Sequence, residues 1–285
     1  MKRILCIILA VCLLFALAVP AGAVFADQAL IRQTAAVKML TDLGLISGFS
    51  DGAFHPGETV TREQTAKLAA LFCTDTPTAE HPAPFTDLGD SWAAQYIAFC
   101  AEHGLVSGSG GLFRPKDPVT ARELAKMLLA ALGYDPTRYT GAEWAQTVDA
   151  DALRLGIYSG MLGRPDAPVT REDACQLVLG ALQANAVSGL AADGEPIFVL
   201  DALRNPRSYL EIRFGAERSE GILCANEEGA LEGGKTEPGI TRLTGYRDSF
   251  PVSSDRSLLG RRVNIFTKNG SVLGCVCLHP QEYNR

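Results

Sequence analysis

Between residues 120 and 132 apolar side chains recur at Leu124, Met127, Leu128, Ala131 and Leu132, the spacing of one buried helix face. The same offsets return at Ala174, Leu177, Val178, Ala181 and Leu182, and at Thr65, Leu68, Ala69, Phe72 and Cys73. Each stripe follows a threonine, Thr61, Thr120 or Thr170, whose hydroxyl can accept from a free first-turn N–H. Gln64 and Glu123 stand where a capping box needs an amide or acid, and Asp173 fits more loosely. Before each threonine comes a proline, three residues and a valine: Pro56 to Val60, Pro115 to Val119, Pro165 to Val169. Further upstream, Gly44–Gly48, Gly104–Gly108 and Gly156–Gly160 repeat Gly-apolar-apolar-Ser-Gly. That element ends a helix, because glycine takes the left-handed cap without steric cost.

Three helix–loop–helix copies are therefore predicted, at residues 27–74, 83–134 and 137–184. One pair of helices cannot bury such a face alone, so the copies pack on each other around a shared core. After Ala184 the pattern changes. Residues 185–196 read as a small-residue linker, and 197–285 as a small β or α+β module. Its β-like runs are Ile197–Leu200, Tyr209–Phe214, Gly221–Ala225, Arg262–Phe266 and Ser271–Leu278, with Asn269-Gly270 a hairpin turn between the last two.

The first 26 residues read as a secretory signal. Lys2 and Arg3 precede an apolar run from Ile4 to Val19, and the small-residue triplets Ala21-Gly22-Ala23 and Val24-Phe25-Ala26 follow. The run is shorter than the roughly 20 residues a spanning helix needs, and no later stretch is long enough, so no transmembrane segment is expected after cleavage. With 26 basic and 32 acidic residues the net charge is −6, which argues against a nucleic-acid partner. An anionic partner must be met by locally placed cations. Six of the 8 cysteines lie after the signal, an even count that permits disulfides in an exported chain. Cys73 and Cys175 fall on or next to the stripes and read as buried thiols. Cys275-Val276-Cys277-Leu278-His279 reads as core cysteines of a hairpin rather than a metal site. Neither a catalytic acid/base pair nor a Ser-His-Asp set can be argued from spacing, and no cofactor is implied.

Several short motifs recur on this frame. The second copy has Phe85-Thr86-Asp87, Trp92-Ala93 and Phe113-Arg114-Pro115. The first has Asp51-Gly52-Ala53-Phe54-His55-Pro56 and Thr61-Arg62-Glu63-Gln64, and the third has Trp144-Ala145 and Thr170-Arg171-Glu172-Asp173. The pattern resembles the S-layer homology repeat over roughly residues 28 to 184. That resemblance implies a pseudo-threefold prism whose clefts bind a pyruvylated secondary cell-wall polysaccharide attached to peptidoglycan. It implies polymer contacts at Arg62, Arg171, Arg122, Thr61, Thr170, Asp51, Trp92 and Trp144, the two tryptophans being either sugar platforms or part of core or inter-repeat packing. A ketal carboxylate would suit a helix N-terminus with free N–H donors and an arginine beside it.

The copies depart from the family pattern. The first lacks the Phe-x-Asp opening and has Arg32 at the tryptophan position. In the second, Thr120-Ala121-Arg122-Glu123 moves the arginine one place, about 100° round the helix. The third has the short loop Met161–Arg164. The expected function is non-catalytic anchoring at the bacterial cell wall or S-layer. The alternative is a wall-anchored enzyme or a protein–protein adaptor, with its activity or its surface-protein partner in the C-terminal module.

Overall fold

The computed structural model describes residues 25–277, so the signal segment through Val24, and Leu278 and His279, lie outside the described residues. Within them lie seven helices and two sheets. The first six helices form three consecutive pairs: α1 (Thr34–Asp42) and α2 (Arg62–Cys73), α3 (Ala94–Glu102) and α4 (Ala121–Ala131), α5 (Trp144–Arg154) and α6 (Arg171–Gln183).

The threonines cap α2, α4 and α6. Thr61 and Thr120 make complete capping boxes with Gln64 and Glu123. Thr170 accepts from the Asp173 N–H, but the Asp173 carboxylate turns to the short loop and accepts from Leu162 N (2.8 Å) and Gly163 N (2.9 Å).

The first helix of each pair packs on the second helix of the preceding pair: α3 on α2, α5 on α4, and α1 on α6. Three backbone bonds run in the same direction. Val119 N donates to Val60 O (3.0 Å), Val169 N to Val119 O (2.8 Å) and Val60 N to Val169 O (3.0 Å), closing a ring. The first two N–H groups of each capped helix also go to a neighbouring loop. Arg62 N and Glu63 N donate to Asp117 O and Pro115 O, Ala121 N and Arg122 N to Ala167 O and Pro165 O, and Arg171 N and Glu172 N to Glu58 O and Pro56 O. The donors expected to be free for a ligand at these helix N-termini are therefore spent on joining the units.

The first unit does have a Phe-x-Asp opening, Phe25-Ala26-Asp27, hidden in sequence inside the second cleavage triplet. Phe25 packs on Phe54 with ring centroids 5.3 Å apart, as Phe85 does on Phe113 at 5.3 Å. Asp27 accepts from Phe54 N (2.8 Å) and His55 N (2.7 Å), and Asp87 from Phe113 N (2.8 Å) and Arg114 N (2.7 Å). These amide donors hold both carboxyls below the usual carboxylate range against the opposing effect of desolvation. They also fix His55 (φ 56°) and Arg114 (φ 58°), residues in a left-handed conformation that costs a side chain roughly 1–2 kcal/mol. Gly48 and Gly108 are small for a visible reason: a Cβ at either would lie 2.9 Å or 2.5 Å from the Phe25 or Phe85 ring.

The C-terminal region differs from its predicted layout. The expected linker 185–196 contains β1 (Val187–Leu190), paired antiparallel with β2 (Pro196–Phe198). Tyr209–Phe214 is helix α7 rather than a strand, because Ser208 and Glu211 form a capping box that outweighs the β-prone run. A five-stranded sheet follows, with β3 (Glu217–Asn226), β4 (Gly229–Ala230), β6 (Arg262–Lys268) and β7 (Ser271–Cys277) in the order β4-β3-β6-β7, and β5 (Arg242–Leu243) on β3. Asn269 (φ 51°) and Gly270 (φ 77°) turn β6 into β7.

The module shares the core of the helical units. Leu210, Phe214, Phe266, Leu273 and Val276 belong to the apolar cluster that contains Met39, Leu40, Phe72 and Leu182. Tyr209 stacks on Phe72 at 4.4 Å, and Arg213 pairs with Asp75 at 2.8 Å. All six cysteines of the described residues are thiols. Cys100, Cys175 and Cys275 are buried, and Cys73, Cys224 and Cys277 are half-buried.

Candidate functional site

Where α2 and α6 meet the Gly-x-x-Ser-Gly loop of the next unit, two clefts of the same construction open. The first, of about 210 Å³, is lined by Arg171 from α6, the Leu45–Phe49 loop, Phe54, Gln64 and Lys67 from α2, and Trp92. The second, of about 450 Å³, has Arg62 from α2, the Gly104–Ser107 loop, Phe113, Glu123 and Lys126 from α4, and Trp144.

Each arginine is half-buried beneath a neighbouring loop and held by backbone carbonyls. Arg62 Nε donates to Phe113 O (2.7 Å) and Nη2 to Ser107 O (2.9 Å), with the guanidinium 4.5 Å above the Phe113 ring. Arg171 Nε donates to Phe54 O (2.7 Å) and Nη2 to Ser47 O (3.2 Å), with its guanidinium 4.5 Å from Phe49 and 4.7 Å from Phe54. No carboxylate among the described residues forms an ion pair with Arg62, Arg171, Lys67 or Lys126. Burial lowers the pKa of Arg62, Arg171 and Lys126, with Glu123 opposing it at Arg62 and Lys126. Two cations without an ion-pair partner in one cleft make a site that gains by accepting an anion.

Each lysine also faces its tryptophan: Lys67 Nζ lies 5.8 Å from the Trp92 ring centroid and Lys126 Nζ 5.4 Å from Trp144. Trp92 is 54% exposed, which excludes a core role. Its Nε1 donates to Glu63 Oε1 (2.9 Å), and Ser91 Oγ donates to the other oxygen (2.7 Å). Glu63 is 3% exposed. Burial pushes its pKa up, but bonds from Lys116, Ser91 and Trp92 together hold it below the ordinary value. Trp144 is half-buried against the core.

The remaining predicted residues do other work. Thr61 and Thr170 are caps and line neither cleft. Asp51 accepts from Ala53 N and pairs with His55 Nε2 at 2.8 Å, away from both clefts. Arg122 is neutralised by Asp149 through bonds of 2.7–3.1 Å, and Tyr158 Oη donates to the same carboxylate. At the third junction Ala121 holds the arginine position, Gln176 the lysine position and Arg32 the tryptophan position. Gln176 Nε2 donates to Ser159 O (2.7 Å), and Arg32 is bonded to Glu172 through Nε (3.0 Å) and Nη2 (2.6 Å). That junction is closed by its own side chains.

Lys67 and Lys126 escaped the sequence reading. Both lie six residues after a capping threonine, where the third unit has Gln176, so the offset was available as a signal.

Residues 26–66 and 84–125 match the S-layer homology domain. The chain carries S-layer homology domains and is a secreted, cell-wall-associated protein. It is 31% identical over 155 residues to the surface-layer 125 kDa protein of Lysinibacillus sphaericus, covering 48% of this chain and 13% of that one. It is 28% identical over 152 residues to the middle cell wall protein of Brevibacillus brevis, 52% of this chain and 14% of that one. An uncharacterized cell wall amidase of Bacillus anthracis is 29% identical over 145 residues, 47% of this chain and 27% of that one. The chain thus spans about a quarter or less of the length of these curated relatives. Among the described residues no helix is long and apolar enough to cross a membrane.

Proposed function

We propose that the chain is a non-catalytic anchor, and that its two open clefts hold an acidic secondary polymer of the cell wall. The observation that carries this reading is the repeated pair of unpaired cations, Arg171 with Lys67 and Arg62 with Lys126, each beside a tryptophan. A carboxylate on a sugar ring, as in a pyruvate ketal, satisfies both features: the anion meets the cations and the ring meets the indole. Two clefts on one rigid frame add avidity when a single polymer reaches both. The matching S-layer homology domains and the cell-wall relatives support the setting.

The cyclic valine bonds and the cyclic packing of the helix pairs support a pseudo-threefold prism in which residues 137–184 are a divergent third repeat. That repeat lends Arg171 and Trp144 to the two open clefts, whereas the junction on its own Gly156–Gly160 loop binds no ligand, since its polar groups are consumed internally.

The test is co-sedimentation of the full chain with purified wall sacculi. Binding is expected to native sacculi and to be lost after acid extraction of the secondary polymer. Equal binding to extracted sacculi would refute the polymer reading. The full chain is needed because the C-terminal module completes the core around Phe72 and Met39.

A further inference from the structure

The face of the large sheet turned toward the helices is divided. Phe266 and Val276 enter the helical core, whereas Asn264, directly opposite Val276 on β7 and Glu220 on β3, does not. Asn264 is 3% exposed, and its Oδ1 is buried with no hydrogen-bond partner among the described residues. It lines a cavity of about 660 Å³ between the sheet, the Leu155–Gly156 turn, the end of α6 and Phe198. Small-molecule sites commonly span roughly 300–1,000 Å³, so the volume is that of a ligand site.

A buried carboxamide oxygen left unbonded is costly and calls for a partner that enters the cavity. The other lining groups define it. Asn185, Asn205, Gln183 and the guanidinium groups of Arg154 and Arg218 are planar polar side chains that suit adjacent hydroxyls. Phe198 offers an apolar surface. The arginines here are compensated, unlike those of the clefts. Arg154 pairs with Asp151 at 2.9 Å, Arg218 with Glu211 at 3.5 Å and Arg262 with Glu220 at 3.3 Å. Such a cavity selects a neutral ligand rather than an anion.

We propose that this cavity between the third unit and the C-terminal module is a separate site for a neutral, hydroxyl-rich saccharide unit. It does not depend on the polymer reading of the clefts.

The probe is the β-1,4-linked tetrasaccharide of N-acetylglucosamine, titrated into the full chain by calorimetry and soaked into its crystals. The wild-type chain is expected to bind it with a sugar ring in the cavity. Asn264→Leu is expected to weaken binding at least tenfold while leaving the unfolding midpoint unchanged or higher, because it removes an unbonded buried amide. Phe198→Ala is expected to weaken binding without unfolding the chain, and Lys67→Gln with Lys126→Gln to leave it unchanged. Absence of binding up to millimolar sugar, ordered water alone in the soaked cavity, or full binding by Asn264→Leu each overturns the proposal. So does loss of sugar binding in the lysine variant, which would assign it to the clefts.

Discussion

Replacing Phe25 by alanine removes a ring that is 6% exposed, seated against Phe54 at 5.3 Å and over Gly48. A Phe→Ala change in a packed core costs about 3–5 kcal/mol, through lost transfer energy and the cavity left behind. Phe25 lies at the edge of the described fold, where the chain can relax, so the lower end, about 3 kcal/mol, is expected. With a urea slope of roughly 3 kcal/mol/M for a chain of this size, the unfolding midpoint should fall by about 1 M at unchanged slope. Urea titration followed by tryptophan fluorescence measures it. A fall of less than about 0.3 M would show that the Phe-x-Asp element is ornamental in the first unit. The consequence reaches export: a mature chain beginning at Asp27 would lack this ring. Mass spectrometry of the exported protein is therefore expected to give an N-terminus at or before Phe25, as cleavage after Ala23 would.

The ring formed by Val60, Val119 and Val169 should open as one unit, so native-state exchange is expected to give their three amides the same opening free energy. Exchange of one unit well before the others would contradict the closed ring. Burial pushes the Cys73 thiol up to about 11 and Cys175 and Cys275 up to about 12, and raises Cys100 too. Iodoacetamide at neutral pH should thus label Cys224 and Cys277 first and these four only on unfolding; early labelling of Cys175 would disprove its burial. Burial lowers the Lys126 pKa, so its charge is lost at a lower pH than that of an exposed lysine as pH rises. Anion binding at the second cleft should follow that titration downward with increasing pH. A pH-independent affinity through the alkaline limb would remove Lys126 from the site.

The sequence made the second helix of each unit legible because three signals agreed: a capping threonine, an apolar stripe, and a proline-led approach. Arg62 and Arg171 were legible for a similar reason, lying beside the caps. Their anchoring was not, because it depends on loops 45 to 124 residues away in the chain, whose carbonyls hold the guanidinium groups. The same long-range closure uses the helix N-terminal donors, which local reasoning had left for a ligand. Arg122 looked like a displaced ligand residue, and only the fold brings Asp149 to neutralise it. Tyr209–Phe214 has strand composition, and the short capping box at Ser208 and Glu211 together with docking on Phe72 decides for helix.

The most direct test of the two-cleft account is the affinity of the full chain for purified wall polymer, before and after selective removal of its acidic substituent. Lys67→Gln with Lys126→Gln is the variant to compare, since among the described residues neither lysine forms a side-chain hydrogen bond or ion pair that supports a loop. A charge-assisted contact contributes about 1.5–3 kcal/mol, so the change should weaken binding about tenfold or more per cleft, with no loss of folding stability. Removing the acidic substituent should weaken the wild type at least to the level of the variant, since the contacts to Arg171 and Arg62 are lost with it. Undiminished binding by the variant, or equal affinity for the neutral polymer, would contradict the account.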